Sequence, residues 1–229
     1  MPMIRAVRWP ISWCAQMIRK YTLTAALVWI SAFVMVFCAP QALNTLMSVT
    51  GWRWPQAGSM AANANLAPLF TNEIDYWSSD LLRWAAKYHL DPNLLATVMQ
   101  IESCGHPSVV SNAGAQGLFQ VMPFHFSSGE DMIDPDTNAF RAANFLNVCY
   151  TYSKQDVGLT LACYNGGPSV VTKNMHTWPA ETQRYYVWGV GIYADARAGL
   201  HDSATLSRWL AAGGSGLCQM ADTTLGLRS

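Results

Sequence analysis

The sequence predicts a predominantly α-helical domain of the α+β class, preceded by an N-terminal transmembrane helix. Apolar residues recur at spacings of three and four through most of residues 72–211, which is the period of an amphipathic helix. Almost no segment alternates polar and apolar residues as a half-buried strand does. A long uncharged run near the N-terminus predicts the membrane span. The glycine loop, residues 111–123, is the one good place for a small β element.

The uncharged run covers residues 21–39 and is rich in Leu, Val, Ile, Phe, Trp and Ala. As a helix it spans about 28 Å, close to the roughly 30 Å of a hydrocarbon core. The preceding segment, 1–20, carries four basic residues and no acidic ones, so we expect it to stay in the cytoplasm while the rest of the chain crosses. A cleaved signal peptide, followed by export, is the alternative. We favour a single-pass anchor in the cytoplasmic membrane, because cleavage after Ala39 needs a small residue at position 37, where the bulky Phe37 stands.

Beyond the anchor, the chain divides into three predicted parts. Residues 40–65 are poor in charge and contain Gly, Pro and Ser, as a linker does. Residues 66–200 form the folded domain, which we expect outside the cytoplasm. Residues 201–229 form a C-terminal helix and tail. Ten basic and fourteen acidic residues lie beyond residue 39, so no basic surface predicts a nucleic-acid partner.

The predicted helices follow one another with short connections. The first shows its apolar face at Ile74, Trp77, Leu81 and Tyr88. The second has an N-terminal signal, with Asp at the cap and Pro at the first helical position. A loop covers residues 170–179, and a Gly-rich tail follows the last helix. The predicted ranges are 72–89, 92–102, 137–152, 157–164, 181–198 and 205–211.

Glu102 lies at the end of an apolar helical stripe. Leu95 and Val98 stand seven and four residues before it, on the same face. Burial disfavours the charged form of a carboxyl and raises its pKa, which suits a general acid. The alternative is a slight rotation of the helix that lets Glu102 reach solvent.

Four cysteines lie beyond the N-terminal segment: Cys104, Cys149, Cys163 and Cys218. An even number in an exported domain predicts two disulfides, and the sequence does not choose among the three connectivities. Free buried thiols are the alternative. No Cys-x-x-Cys pair exists and the five histidines lack metal spacing, so we expect neither a metal nor a cofactor.

Several short motifs occur in a fixed order after Glu102. They are Glu102-Ser103, then Ser111-x-x-Gly114-Ala115-x-Gly117-Leu118-x-Gln120-x-Met122-Pro123, then Ala162-Cys163-Tyr164-Asn165-Gly166-Gly167, then Glu181-Thr182-Gln183-Arg184-Tyr185. This order resembles the lytic transglycosylases of the goose-type lysozyme superfamily, glycoside hydrolase family 23. The resemblance covers residues 66–200 and implies a lysozyme-like fold. Cys104, Cys163 and Tyr186 depart from the family pattern without removing a motif residue.

The resemblance implies an enzyme that acts on peptidoglycan glycan strands. It cleaves the β-1,4 bond between N-acetylmuramic acid and N-acetylglucosamine and leaves 1,6-anhydro ends. Glu102 is the implied catalytic residue, acting as acid and then as base, and no cofactor is needed. The implied substrate-binding residues are Ser111, Gly117, Gln120, Met122, Tyr164, Asn165, Glu181 and Tyr185.

Two alternatives remain open at the level of sequence. A hydrolase on the same fold uses water, and most glycosidases then need a second carboxylate. The acidic candidates for that role are Glu130, Asp131, Asp134, Asp136 and Glu181, and none stands in a nucleophile-like motif. The other alternative is a non-catalytic peptidoglycan-binding scaffold in an envelope-spanning machine, whose partners the sequence does not identify.

Overall fold

A computed structural model describes residues 65–227, in which α-helices pack around the helix that ends at Glu102. The predominantly helical prediction is confirmed. Short 3-10 turns and one π turn connect some of the helices. The α-helices are α1 Asn72–Tyr76, α2 Ser78–Tyr88, α3 Pro92–Glu102, α4 Pro135–Tyr152, α5 Val157–Gly166, α6 Ala180–Arg197, α7 Ala204–Trp209 and α8 Ser215–Leu225.

Helix α3 is the centre of the core. Every residue from 90 to 100 is buried, and the helix packs against α2 and α6. It begins where the sequence predicts, because the Asp91 side chain accepts a hydrogen bond from the Asn93 backbone N–H at 2.8 Å. A helix enclosed on all sides fixes the position of its last residue, Glu102, relative to the rest of the domain.

The start of α3 is also tied to α6. The second carboxylate oxygen of Asp91 accepts hydrogen bonds from Tyr193 Oη at 3.1 Å and Arg197 Nη1 at 2.8 Å. Asp91 is 1% exposed, and a buried carboxylate is tolerated only when it is paired and hydrogen-bonded. This cluster therefore joins the two helices that flank the candidate site.

The predicted β element is present only as two isolated antiparallel bridges within residues 65–227, Val110 with Gln116 and Gln116 with Val121. No strand longer than a bridge forms in this part of the chain, so the β component of the predicted α+β fold is limited to these bridges. Left-handed backbone at Gly114, Gly117 and Gln120, with φ of 88°, 73° and 47°, interrupts extension of the glycine loop.

Two predicted segments differ in their bounds. The helix predicted over 72–89 is divided at Trp77 into α1 and α2. The predicted Gly-rich tail contains the regular helix α8. The chain turns at Gly213, where φ is 126°, and a side chain on the next residue, Gly214, would overlap the ring of Trp209. These glycines allow a turn between two helices rather than an irregular tail.

Both predicted disulfides are present. One joins Cys104, just after α3, to Cys218 in α8, and the other joins Cys149 in α4 to Cys163 in α5. The first closes a sequence separation of 114 residues and the second one of 14. Each bond thus lies within two residues of a predicted site residue.

The predicted anchor, 21–39, and residues 40–64 of the predicted linker lie outside the described residues. Within residues 65–227, no helix combines the length and the apolar character needed to cross a bilayer.

Candidate active site

A cavity of about 280 Å³ opens at the C-terminal end of α3. It brings together residues that are up to 79 positions apart in the chain, from α3, the glycine loop, α5 and α6. The predicted site residues in its wall are Glu102, Ser111, Gln120, Met122, Tyr164, Asn165 and Glu181. Two predicted residues, Gly117 and Tyr185, are not part of the wall.

The Glu102 carboxyl is partly accessible from the cavity and otherwise enclosed by protein. Burial raises its pKa from 4.5 to about 8. The Tyr185 hydroxyl opposes this rise, and the negative charge of Glu181 adds to it. Glu102 is therefore protonated at neutral pH and has a proton to give, as its position on the apolar stripe predicts.

Tyr185 lies behind Glu102 rather than in the cavity wall. Its hydroxyl is buried and lies close enough to Glu102 to lower the pKa of that carboxyl, but it forms no hydrogen bond of normal geometry. Burial and the Glu102 charge raise the pKa of Tyr185 well above its usual value, so it stays protonated. Hydrogen bonds at catalytic groups are often long until substrate binds, and this hydroxyl is placed to donate to Glu102 once it ionises.

Helix α5 contributes Tyr164 and Asn165. The Tyr164 hydroxyl donates a hydrogen bond to the Phe119 carbonyl at 2.8 Å, which joins α5 to the glycine loop. The Asn165 Oδ1 accepts a hydrogen bond from Thr182 Oγ1 at 2.8 Å. This bond orients the amide and leaves its N–H groups without a partner among the described residues, available to a carbonyl or hydroxyl oxygen of a ligand.

The glycine loop presents Ser111 and Gln120 to the cavity. The Ser111 hydroxyl accepts the Ala115 N–H at 3.0 Å and closes the turn. Gln120 Nε2 donates to the carbonyls of Val109 and Gly117 at 2.9 and 3.0 Å. Both donors of the Gln120 amide are used by backbone carbonyls, so its oxygen is the group left for a ligand.

Gly117 supports the loop from inside. A Cβ at this position would lie 2.7 Å from Asn138 Nδ2, and φ is +73°. Both facts require glycine here. The structure therefore places Gly117 against a buried asparagine.

His125 and Phe145 line the cavity but were not predicted as site residues. Their rings lie 4.4 Å apart between centroids, and Phe145 lies 5.5 Å from Tyr164. Burial, then the charge of Arg141, lowers the pKa of His125, which favours the neutral ring. Phe145 lies within the helix predicted over 137–152, but its contact with His125 depends on folding. The small or apolar residues Ala113, Ala115 and Val121 complete the wall.

Most of the other predicted acidic candidates have structural partners. Asp134 caps α4, Asp131 accepts an N–H from its own turn, Glu130 pairs with Arg141, and Asp136 pairs with Trp84 and Arg83. None of these four lines the cavity. Glu181 is the second carboxylate in the wall, and it is exposed.

One cluster of potential metal ligands occurs within residues 65–227, formed by Glu73, Cys104 and Cys218. Because both sulfurs belong to one disulfide, the cluster supplies no thiolate to a metal.

Comparisons with known proteins agree with the resemblance. Residues 81–187 match the family described as transglycosylase SLT domain. The transglycosylase of Enterobacteria phage PRD1 is 35% identical over 111 residues, which cover 48% of this chain and 40% of the phage protein. Endo-type membrane-bound lytic murein transglycosylase A from two Klebsiella pneumoniae strains is 45% identical over 47 residues, covering 20% of this chain and 22% of the relative. The chain thus spans less than half the length of these curated relatives.

Proposed function

We propose that the chain is a peptidoglycan lytic transglycosylase with a lysozyme-like fold, because residues 81–187 match the family described as transglycosylase SLT domain. The observation that carries the proposal is the Glu102 carboxyl, which is held protonated by burial and opens onto a cavity lined by polar groups. The names of the phage and Klebsiella relatives support the same class of activity.

In the first step, Glu102 donates its proton to the oxygen that links N-acetylmuramic acid to N-acetylglucosamine. The bond between C1 and this oxygen breaks, and C1 acquires oxocarbenium character. A proton donor is needed because the leaving oxygen would otherwise depart as an alkoxide. The pKa near 8 keeps the Glu102 carboxyl protonated at neutral pH.

In the second step, the resulting Glu102 carboxylate accepts the proton of the muramic-acid 6-hydroxyl as O6 bonds to C1. The product is a 1,6-anhydro sugar, the glutamic acid is restored and no water is consumed. The Tyr185 hydroxyl supports the carboxylate between the steps because it is the adjacent donor that favours the ionised form.

The polar groups of the wall suit an N-acetylated sugar. The free Asn165 amide N–H groups and the free Gln120 oxygen supply donors and an acceptor. Ser111, Met122 and Tyr164 complete the surface around the reacting carboxyl. We assign Glu181 a binding role at the rim, since it is exposed, and Gly117 a supporting role within the loop.

Glu181 also gives the strongest support for a second candidate, a hydrolase. A second carboxylate in the wall could activate water as inverting glycosidases do. The mass of the products separates the two reactions, because hydrolysed ends are heavier than anhydro ends by one water.

Digestion of purified peptidoglycan followed by mass spectrometry of the fragments tests the proposal. We expect anhydro ends from the wild-type chain and a loss of roughly 10⁴-fold or more in Glu102→Gln, since one residue serves both steps. Asp131→Asn is the matched control, because Asp131 is exposed and lies outside the cavity. Glu181→Gln should weaken binding while keeping anhydro products.

Three results would contradict the proposal in different ways. Reducing ends from the wild-type chain would establish the hydrolase, especially if Glu181→Gln abolished them. Glycan binding without any cleavage would favour the non-catalytic scaffold. Full activity in Glu102→Gln would show that Glu102 is not the catalytic acid.

The rate of the reaction should also fall at alkaline pH. Since Glu102 must be protonated to start the reaction and its pKa is about 8, kcat/KM should fall above about pH 8. An unmodified glutamate with its usual pKa would lose activity above about pH 4–5 instead. A pH–rate profile on soluble glycan fragments measures this limb.

We further propose that residues 21–39 anchor the chain in the cytoplasmic membrane with the catalytic domain outside it. The length and apolar character of the run support the anchor, and the name of the Klebsiella relative, membrane-bound, agrees with it. Cell fractionation with intact-mass measurement tests the proposal. A soluble product that starts near residue 40 would show export after cleavage.

A further inference from the structure

Asn138 is a fully buried asparagine on α4 that faces the glycine loop. Its Oδ1 accepts the Phe119 N–H at 2.9 Å. Its Nδ2 donates to the carbonyls of Gln116 and Met132, both at 2.8 Å. The whole amide is thus used to hold backbone, and nothing in the proposed reaction requires it to contact the sugar.

One of these bonds reaches Phe119, the residue whose carbonyl holds Tyr164. Phe119 is fully buried, its N–H is bound by Asn138, and its carbonyl accepts the Tyr164 hydroxyl. The absence of a Cβ at Gly117 leaves the space in which the Asn138 amide lies. A continuous path of hydrogen bonds therefore leads from α4 through the loop to α5.

We propose that Asn138 is a positioning residue for the acid: it fixes the Phe119 backbone so that the carbonyl keeps the Tyr164 proton directed away from Glu102. The inference rests on the proposed function only in taking Glu102 as the acid. The path of contacts itself is independent of any activity.

The direction of the Tyr164 proton matters because the two side chains are close enough to interact. The charge of Glu102 raises the pKa of Tyr164. A hydroxyl that donates to a carboxylate stabilises its charged form and lowers its pKa. The other titratable groups acting on Glu102 are Tyr185 and Glu181, both from α6. The Tyr185 hydroxyl already opposes the rise of the Glu102 pKa, so a donor from Tyr164 would shift the acid further toward its ionised form.

Loss of the Asn138 amide should release the Phe119 backbone and free the Tyr164 hydroxyl to turn toward Glu102. The expected result is a fall in the Glu102 pKa by about one unit or more, the size typical of a new hydrogen bond to a charged group. A purely structural role would lower the stability of the fold without moving this pKa.

The experiment is a ¹³C NMR titration of the glutamate side-chain carboxyls in the full chain, held in detergent micelles. The chain has four glutamates, Glu73, Glu102, Glu130 and Glu181, so each resonance can be assigned by substitution. The variants are Asn138→Ala and, should it fail to fold, the milder Asn138→Ser.

Asn93→Ala is the matched control. Asn93 is also a buried asparagine, 2% exposed, and its Oδ1 accepts the Ala67 N–H at 2.8 Å. It lies at the opposite end of α3 from Glu102. Its loss should lower stability and leave the Glu102 pKa unchanged.

The double variant Asn138→Ala/Tyr164→Phe tests the cause. Without the phenol proton, the Glu102 pKa should return toward that of Tyr164→Phe alone. The inference is overturned if Asn138→Ala leaves the pKa unchanged, if Asn93→Ala moves it equally, or if the shift persists without the Tyr164 hydroxyl. Because the titration needs no turnover, an inactive wild-type chain would contradict the proposed function while this result would stand separately.

Discussion

Replacement of Glu102 by Gln should stabilise the protein in a pH-dependent way. Glutamine has the size and polarity of the protonated acid but never becomes charged. The folded pKa of Glu102, about 8, lies above its ordinary value of 4.5. Such a raised pKa contributes stability that is fully present below pH 4.5 and lost as the pH rises through 8. Wild type therefore loses stability over this window, whereas Glu102→Gln does not.

The size of the effect follows from the same two pKa values. One unit of pKa difference corresponds to about 1.4 kcal/mol, and at pH 7 about two and a half units lie above the unfolded pKa. This gives at most about 3 kcal/mol at pH 7. Water in the open cavity screens part of the charge, so we expect about 1–3 kcal/mol. A difference of this size is a large part of an ordinary unfolding free energy of about 5–15 kcal/mol.

Urea unfolding of both proteins at pH 5, 6, 7 and 8 measures the difference, with the disulfides kept oxidised. Groups common to both proteins cancel in the comparison. Asp131→Asn removes an exposed carboxylate outside the cavity and is the control, which should differ little from wild type. A constant difference between Glu102→Gln and wild type from pH 5 to 8 would refute the claim that the fold holds Glu102 protonated.

Two further pairs of substitutions test the supports of the site. Asp91→Ala should lower the free energy of unfolding by about 3 kcal/mol because it removes a helix cap and leaves Arg197 unpaired. Asp134→Ala removes a cap alone and should lower the free energy of unfolding by about 1 kcal/mol. Equal losses in the two variants would contradict the role of the ion pair. Gly117→Ala should be far more destabilising than Gly114→Ala, because both residues have positive φ but only a side chain at 117 would meet a buried side chain. Thermal unfolding midpoints measure the two effects. Similar decreases in the midpoint would contradict the close packing of Gly117 against Asn138.

Features that depend on neighbouring residues in the chain could be predicted from the sequence. The start of α3 follows from Asp91 and Pro92, because a cap and an N-terminal proline act within one turn. The burial of Glu102 follows from the apolar stripe on its own helix. The order of the motifs indicates most of the cavity, since it names wall residues from α3, the glycine loop, α5 and α6.

Features that depend on the path of the whole chain could not be predicted. The contact of His125 with Phe145 joins a turn to a helix and has no local signal. The left-handed conformation of Gln120 is uncommon for a residue with a side chain. The sequence therefore does not predict that the β element of the glycine loop is limited to isolated bridges.

The choice among disulfide connectivities was likewise beyond local reasoning. Cys104 pairs with a residue 114 positions away, and only the packing of α8 near α1 and the end of α3 brings the two together. α8 was itself missed because glycines precede it, although they only allow the turn that leads into it.

The two disulfides make the shape of the site depend on the compartment in which the chain folds. Cys104 follows Glu102 by two residues, and Cys163 directly precedes Tyr164, so each bond restrains one side of the cavity. Cysteine thiols stay reduced in reducing compartments, whereas they form disulfides in oxidising ones. We therefore expect both restraints to be absent in a reducing compartment and to form in an oxidising one. The number of free thiols is therefore the first property to measure in any preparation, because a reduced sample lacks these two restraints.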